Sequence, residues 1–148
     1  LKNIKINRYI NLSSFIRYTK MKINYFIKYW VPVILYASFI YYLSSLPTPI
    51  EQLIPEKALI YFDFQRFIYH VIEYAILSLL LYRALKIKSK SPQTLTILIT
   101  ILYAITDEIH QYFVPGRISS SFDILFDAFG AIAMQSIINI YEWMKNNY

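Results

Sequence analysis

The chain has 148 residues, of which 57% are hydrophobic and 16% charged, and it contains 15 tyrosines and 10 phenylalanines. Because a soluble domain usually carries about a quarter charged residues, this composition favours a single domain embedded in a membrane. There is no cysteine, which excludes disulfides and thiolate metal sites. The net charge of +6 would suit nucleic-acid binding if the basic residues were spread over the chain, but they are not distributed in this way.

The basic residues are concentrated in two stretches. Residues 1–28 contain no acid and seven cations: Lys2, Lys5, Arg8, Arg17, Lys20, Lys22 and Lys28. A second group surrounds one short loop: Arg83, Lys86, Lys88 and Lys90. Lysine and arginine flank the cytoplasmic ends of membrane spans. We therefore predict a multi-pass membrane protein whose partner is the lipid bilayer, with no nucleic-acid partner.

Four apolar stretches predict an all-α, polytopic bundle of four transmembrane helices. In chain order they are Tyr29–Leu46, Phe64–Leu85, Gln93–Phe113 and Ser120–Met144. A spanning helix needs about 20 residues, and the last three stretches reach this length only when their polar ends are included. The basic flanks place both termini in the cytoplasm. The polar ends of the last three spans then meet at the outer face.

The start of the chain is predicted to lie outside this bundle. We assign residues 1–28 to a basic flank and residues 29–144 to the transmembrane domain. Residue 1 is Leu, and Met21 begins a short basic lead into the first span. Residues 1–20 are therefore predicted to be a translated upstream extension, or a loose segment on an anionic leaflet.

The outer ends of the spans carry many polar and ionisable side chains. Those that we take as candidate site residues are Asp63, Arg66, His70, Glu73, Tyr74, Asp107, Glu108, His110, Gln111, Arg117, Asp123 and Asp127. Ionisable groups at membrane depth are expensive, so such a cluster predicts a functional site. Helical spacing places Arg66, Glu73 and Tyr74 on the face of His70. Ser120 and Asp123 resemble a capping box at the start of the fourth span.

Two interpretations of this cluster involve neither catalysis nor a metal. The first is structural, with acids, arginines and histidines pairing to lock the bundle. The second is an anion site made by Arg66, Arg117 and the N-terminus of the fourth span. Six acids face these two arginines, so the second interpretation requires some acids to be protonated.

Two further interpretations involve the histidines. His70 with Glu73, and Asp107 with His110, each place a histidine and a carboxylate one helical turn apart, which is metal-ligand spacing. The same pairs could act in acid–base catalysis, with Glu73 or Asp107 orienting the histidine. His70, Asp107, Glu108 and His110 are therefore the candidate catalytic residues, and the other eight are candidate ligand-binding residues. The residues identify no cofactor.

Three segments resemble the VanZ-like family of small bacterial membrane proteins. They are DFQRFIYHVIEY from Asp63, TDEIHQYFVPGR from Thr106 and SSSFDILFDAFGA from Ser119. The end of the first span, Leu43-Ser44-Ser45-Leu46-Pro47, is also similar to the family pattern, and the resemblance covers roughly Trp30 to Met134. Within it, the positions that match the family's characteristic residues are Asp63, His70, Tyr74, Asp107, Glu108, His110, Gln111, Arg117, Asp123 and Gly130. Arg66 and Gln135 depart from the family pattern; Gln135 stands where a second glycine is usual, which puts close helix packing there in doubt.

The resemblance implies a bundle of four or five helices in the bacterial cytoplasmic membrane. It also implies a link to resistance against the glycopeptide teicoplanin and to cell-envelope processes. Two functions fit this expectation. One is a module that binds an envelope lipid, a cell-wall precursor or a lipophilic glycopeptide. The other is a membrane enzyme that acts on a lipid-linked substrate by acid–base or metal chemistry.

Overall fold

The computed structural model describes residues 2–47, 56–117 and 119–147. The regular elements in these ranges are all helical: α1 (Lys2–Tyr25), a π-helical turn (Phe26–Trp30), α2 (Val31–Ser44), α3 (Glu56–Leu85), α4 (Pro92–Tyr112) and α5 (Ser121–Asn147). The predicted all-α fold is confirmed.

Three helical stretches in the described ranges are long and apolar enough to cross a membrane: Ser14–Ser44, Phe64–Leu85 and Ser121–Asn147. They correspond to the first, second and fourth predicted spans. The third predicted span lies in α4, which falls outside this set because polar residues at both of its ends lower its hydropathy. The structure thus shows three candidate spans rather than a clear four.

The first candidate span begins at Ser14, well before the predicted start at Tyr29, because α1, the π-helical turn and α2 follow one another without a break. The Tyr25 hydroxyl donates to the Ala84 carbonyl and joins the end of α1 to the end of α3. The segment predicted to be loose is helical from Lys2. That residues 1–20 are an upstream extension stays a prediction.

The α3–α5 pair has the most extensive contact in the bundle, and α4 packs against both helices. Gly130 makes this close approach possible, because a Cβ there would lie 2.3 Å from the Val71 carbonyl oxygen. The predicted packing role of Gly130 agrees with this geometry. The contact continues at Gln135, which is buried and whose Nε2 donates to Ser78 Oγ at 2.8 Å. The absence of a second glycine therefore does not separate the helices.

Helix α4 is polar on its inner face and apolar on its outer face. Its buried residues are Thr96, Thr100, Ala104, Asp107, Glu108 and Gln111. Its exposed large apolar residues are Leu95, Leu98, Leu102, Ile105 and Ile109. A helix in water shows the opposite arrangement, with its apolar face toward the core.

Candidate functional site

A network of polar side chains occupies one end of the bundle, where α2 and α4 end and where the first halves of α3 and α5 lie. We call it the polar network. Its members are Ser44, Ser45, Arg66, His70, Tyr74, Asp107, Glu108, His110, Gln111, Arg117, Ser120, Asp123 and Asp127. Consecutive helices run in opposite directions, so residues far apart in sequence meet at this end. The predicted convergence of the three polar segments is observed.

Asp107 is the centre of the polar network and is only 6% exposed. Its carboxylate accepts hydrogen bonds from Ser44 Oγ at 2.6 Å, Gln111 Nε2 at 2.9 Å and the Tyr74 hydroxyl at 3.3 Å. These donors come from α2, α4 and α3. A buried carboxylate needs such donors to offset its lost hydration, and here they tie three helices together.

A second group of contacts joins α3 to α5. Arg66 pairs with Asp123, with Nε 3.1 Å from Oδ2. One turn deeper, His70 Nδ1 lies 2.8 Å from Asp127 Oδ1, while its Nε2 lies 3.7 Å from Asp123. Asp123 and Asp127 are 1% and 2% exposed. His70 is therefore held between two buried carboxylates of α5.

Glu108 caps the start of α5. It is buried, and its carboxylate accepts a hydrogen bond from the Ser120 backbone N–H. The first N–H groups of a helix have no partner inside the helix, and a negative charge there also interacts favourably with the helix dipole. Ser120 Oγ accepts from Phe122 N at 3.3 Å. The predicted capping box is wrong in its second half, because Glu108 takes the place expected for Asp123.

Arg117 and His110 connect the loop after α4 to the end of α2. Arg117 Nη1 donates to the Leu43 and Leu46 carbonyls at 3.0 and 3.2 Å, and its Nε donates to Gln111 Oε1 at 3.0 Å. His110 Nε2 lies 2.9 Å from Ser45 Oγ, and its ring stacks on Tyr41 with centroids 4.3 Å apart. Arg117 thus bonds two carbonyls at and just after the end of α2, of which the Leu43 carbonyl also accepts from Leu46 N–H.

The two remaining candidate residues are Glu73 and Asp63. Glu73 is half-buried and makes no hydrogen bond or ion pair with any residue of the described ranges. Asp63 lies on α3, but its side chain is outside the part of the chain that the structure describes.

Neither histidine contacts the acid on its own helix that the metal and acid–base interpretations pair it with. His70 contacts Asp127 and Asp123 instead of Glu73, and His110 contacts Ser45 and Tyr41 instead of Asp107. Among the described residues, no three His, Asp or Glu side chains are arranged to hold a metal ion. The histidines are therefore joined to other helices rather than to ligands one turn away.

The part that α2 plays in the polar network was not predicted from the sequence. Ser44 donates to the central acid, Asp107, and Ser45 Oγ lies within hydrogen-bonding distance of His110. Neither serine was a candidate site residue. The signal was present in the Leu43-Ser44-Ser45-Leu46-Pro47 motif, which places two hydroxyls at the end of a span. Hydroxyl pairs are common at helix ends, so their position alone gave them no role.

An open depression of about 280 Å³ adjoins the polar network on its outer side. It is lined by Arg66, Ser120, Phe122, Asp123 and Phe126. Its walls thus combine an ion pair with two phenylalanine rings, of which that of Phe122 is 67% exposed. Such a surface can hydrogen-bond a polar group and contact an apolar chain at the same time.

Comparison with known proteins gives one family match. The family model described as VanZ/LLP1 matches residues 8–142. No curated protein and no solved structure matches the chain significantly.

Proposed function

The chain belongs to the VanZ/LLP1 family and has three apolar helices of spanning length, from which we propose that it is a multi-pass membrane protein. In this proposal, the depression lined by Arg66, Asp123 and Phe122 binds the polar head of an amphiphile. The ligand class comprises envelope lipids, lipid-linked cell-wall precursors and lipophilic glycopeptides such as teicoplanin. Binding would keep such a drug from its target, which connects the site to resistance.

The topology that we propose has α4 as a fourth span. Its 21 residues extend about 31 Å at 1.5 Å per residue, which matches the hydrocarbon thickness. Its outward apolar face and inward polar face suit a helix that is surrounded by lipid and packed on α3 and α5. The basic end of the bundle then lies in the cytoplasm and the polar network lies outside.

The natural absence of cysteine allows a direct test of this topology. Single cysteines are placed at Lys90 and at Pro115, in the loops before and after α4, and intact cells are treated with a membrane-impermeant maleimide. We expect labelling at position 115 and none at position 90 until the membrane is opened. The same accessibility of both positions in intact cells would contradict the four-span topology.

The observation that carries the binding proposal is the composition of the depression. Arg66 and Asp123 offer charge and hydrogen bonds at its base, while Phe122 and Phe126 provide apolar walls. Its volume is at the lower end of the range for small-molecule pockets, so it suits a head group rather than a whole glycopeptide. The remaining chain of the amphiphile would lie in the bilayer beside the exposed Phe122 ring.

Binding fits the polar network better than catalysis does, because most of its side chains contact one another. Asp107 has three donors, and Glu108 caps α5. A catalytic base has to reach the substrate, whereas these carboxylates face the interior. They act mainly to hold the walls of the depression in place.

The test is teicoplanin susceptibility of a sensitive Gram-positive host that expresses the chain, at matched membrane abundance. We expect raised resistance compared with empty vector, and loss of this resistance in Phe122→Ala. Phe129→Ala is the matched control, since Phe129 is also an exposed phenylalanine of α5 but does not line the depression. Equal resistance of both variants and the parent chain would contradict a role of the depression.

One observation favours an enzyme as a second candidate. His70 is held by Asp127, and its Nε2 lies near Asp123, which lines the depression. A histidine oriented by a carboxylate can serve as a general base or acid. An enzyme would convert many molecules of a lipid-linked substrate per chain and would lose this turnover in His70→Gln. A binding module would retain at most one ligand per chain.

A further inference from the structure

A second group of cations lies at the end of the bundle opposite the polar network. Its exposed members are Arg17, Lys20, Lys22, Lys28, Arg83, Lys86, Lys88, Lys90 and Lys145. Among the residues described at this end, Glu142 is the only acid. It pairs with Lys86, and this hydrogen bond raises the pKa of the Lys86 ammonium. The other eight cations form no ion pair within the described ranges, so this end carries a large uncompensated positive charge.

Two of these cations, Lys28 and Arg83, flank a narrow cleft between the π-helical turn and α3. The cleft is lined by Lys28, Tyr29, Pro32, Leu80 and Arg83. Tyr29, Pro32 and Leu80 are half-buried, whereas the two cations are exposed. The apolar floor therefore continues toward the membrane, while the positive charges remain at its rim.

We propose that this cleft is a binding site for one acidic phospholipid. The Lys28 ammonium and the Arg83 guanidinium hold the phosphate, and an acyl chain lies along Pro32 and Leu80. The guanidinium forms two parallel hydrogen bonds to a phosphate, and the ammonium adds a compact positive charge. The narrow cleft has no space for a whole ligand, but an acyl chain can lie along it.

The identity of the lipid follows from charge. A zwitterionic lipid has a cationic group beside its phosphate, which two unpaired cations repel. An acidic lipid lacks this group. Basic residues next to a membrane span attract anionic leaflets, with each contributing about fivefold in affinity. The lipid site is at the other end of the bundle from the depression, so it does not depend on the ligand proposed there.

The experiment measures lipid binding to the purified full chain in detergent micelles by native mass spectrometry. The probes are dioleoyl phosphatidylglycerol, dioleoyl phosphatidylcholine, which has the same acyl chains, and inorganic phosphate. We expect one molecule of phosphatidylglycerol per chain, retained in preference to phosphatidylcholine and not displaced by an equal concentration of inorganic phosphate. Circular dichroism checks that each variant is folded.

Three double variants locate the site. Lys28→Gln with Arg83→Gln is expected to weaken phosphatidylglycerol binding about 10- to 30-fold, the product of two lost cations. Arg17→Gln with Lys90→Gln removes the same two charges from elsewhere at this end and is expected to change binding less than about threefold. Lys28→Arg with Arg83→Lys keeps both charges and is expected to retain binding.

Three results would overturn the proposal. Equal weakening by the two glutamine pairs would mean diffuse attraction to the whole basic end. Equal binding of phosphatidylcholine would mean that the cleft selects acyl chains alone. Displacement by inorganic phosphate at equal concentration would mean a soluble phosphate ligand.

Discussion

Replacing Gly130 by alanine tests how the contact between α3 and α5 positions the polar network. An added Cβ would lie 2.3 Å from the Val71 carbonyl oxygen, whereas ordinary contacts begin near 3.4 Å. The helices must therefore move apart by about 1 Å at this point. Gly130 is three residues from Asp127, and Val71 is next to His70. The 2.8 Å contact between His70 and Asp127 is consequently lengthened beyond hydrogen-bonding range.

Contributions of opposite sign determine how much Gly130→Ala changes the free energy of unfolding. Alanine is a better helix former than glycine by about 1 kcal/mol. Overpacking costs about 1–3 kcal/mol, and each buried polar group left unsatisfied costs about 1–3 kcal/mol more. The separation affects at least the His70–Asp127 and Ser78–Gln135 contacts. With the low end of each cost and the gain in helix propensity subtracted, we expect the free energy of unfolding to fall by at least about 2 kcal/mol.

The assay is reversible unfolding in mixed micelles with increasing dodecyl sulfate, followed by helical circular dichroism. The same substitution in a Val71→Ala background serves as a control. The obstructing atom belongs to the backbone, so shortening the Val71 side chain should not restore stability. A Gly130→Ala protein that is as stable as the parent, or more stable by about the 1 kcal/mol of helix propensity, would refute the reasoning.

The hydrogen bonds and ion pairs give further predictions in the same unfolding assay. Ser44→Ala and Tyr74→Phe each remove one donor to Asp107 and should cost about 0.5–1.5 kcal/mol. Asp107→Asn replaces one of the two acceptor oxygens by an NH2 group, which leaves at least one buried donor without its acceptor and should cost about 1–3 kcal/mol; a cost of Asp107→Asn below that of either single donor removal would contradict the central position of Asp107. By contrast, Lys86→Ala and Glu142→Ala remove an exposed pair at the basic end. Each should leave the free energy of unfolding unchanged within error, since exposed ion pairs contribute little.

The sequence predicted which polar residues lie at one end of the bundle, because alternating helix direction follows from short loops and charged flanks. It did not predict their partners. Helical spacing identifies side chains that share a face, such as His70 and Glu73, but it does not say which faces of different helices meet. That depends on the approach of α3 to α5 at Gly130, which is why His70 contacts Asp127.

The position of polar residues around a helix also explains why α4 is not among the three candidate spans. Hydropathy averages over the whole circumference of a helix, and the buried side of α4 carries Thr96, Thr100, Asp107, Glu108 and Gln111. Its outward face, with Leu98, Leu102 and Ile109, is as apolar as lipid requires. Helix α4 contributes four of the thirteen side chains of the polar network, more than any other helix, and it therefore falls short of the window hydropathy that the three candidate spans reach, although most of its exposed side chains are apolar.

The pairing inside the polar network determines which variants can reveal function. Removing His70 takes the ion-pair partner from the buried carboxylate of Asp127, and removing Arg66 breaks the ion pair to the buried carboxylate of Asp123; breaking a buried pair in this way typically costs about 3–5 kcal/mol. Loss of activity in such a variant would report unfolding as readily as loss of a ligand contact. Phe122 lines the depression but is 67% exposed, and its truncation leaves every described ion pair intact. A selective loss of resistance in Phe122→Ala therefore separates a binding role of the depression from a structural role of the network beneath it.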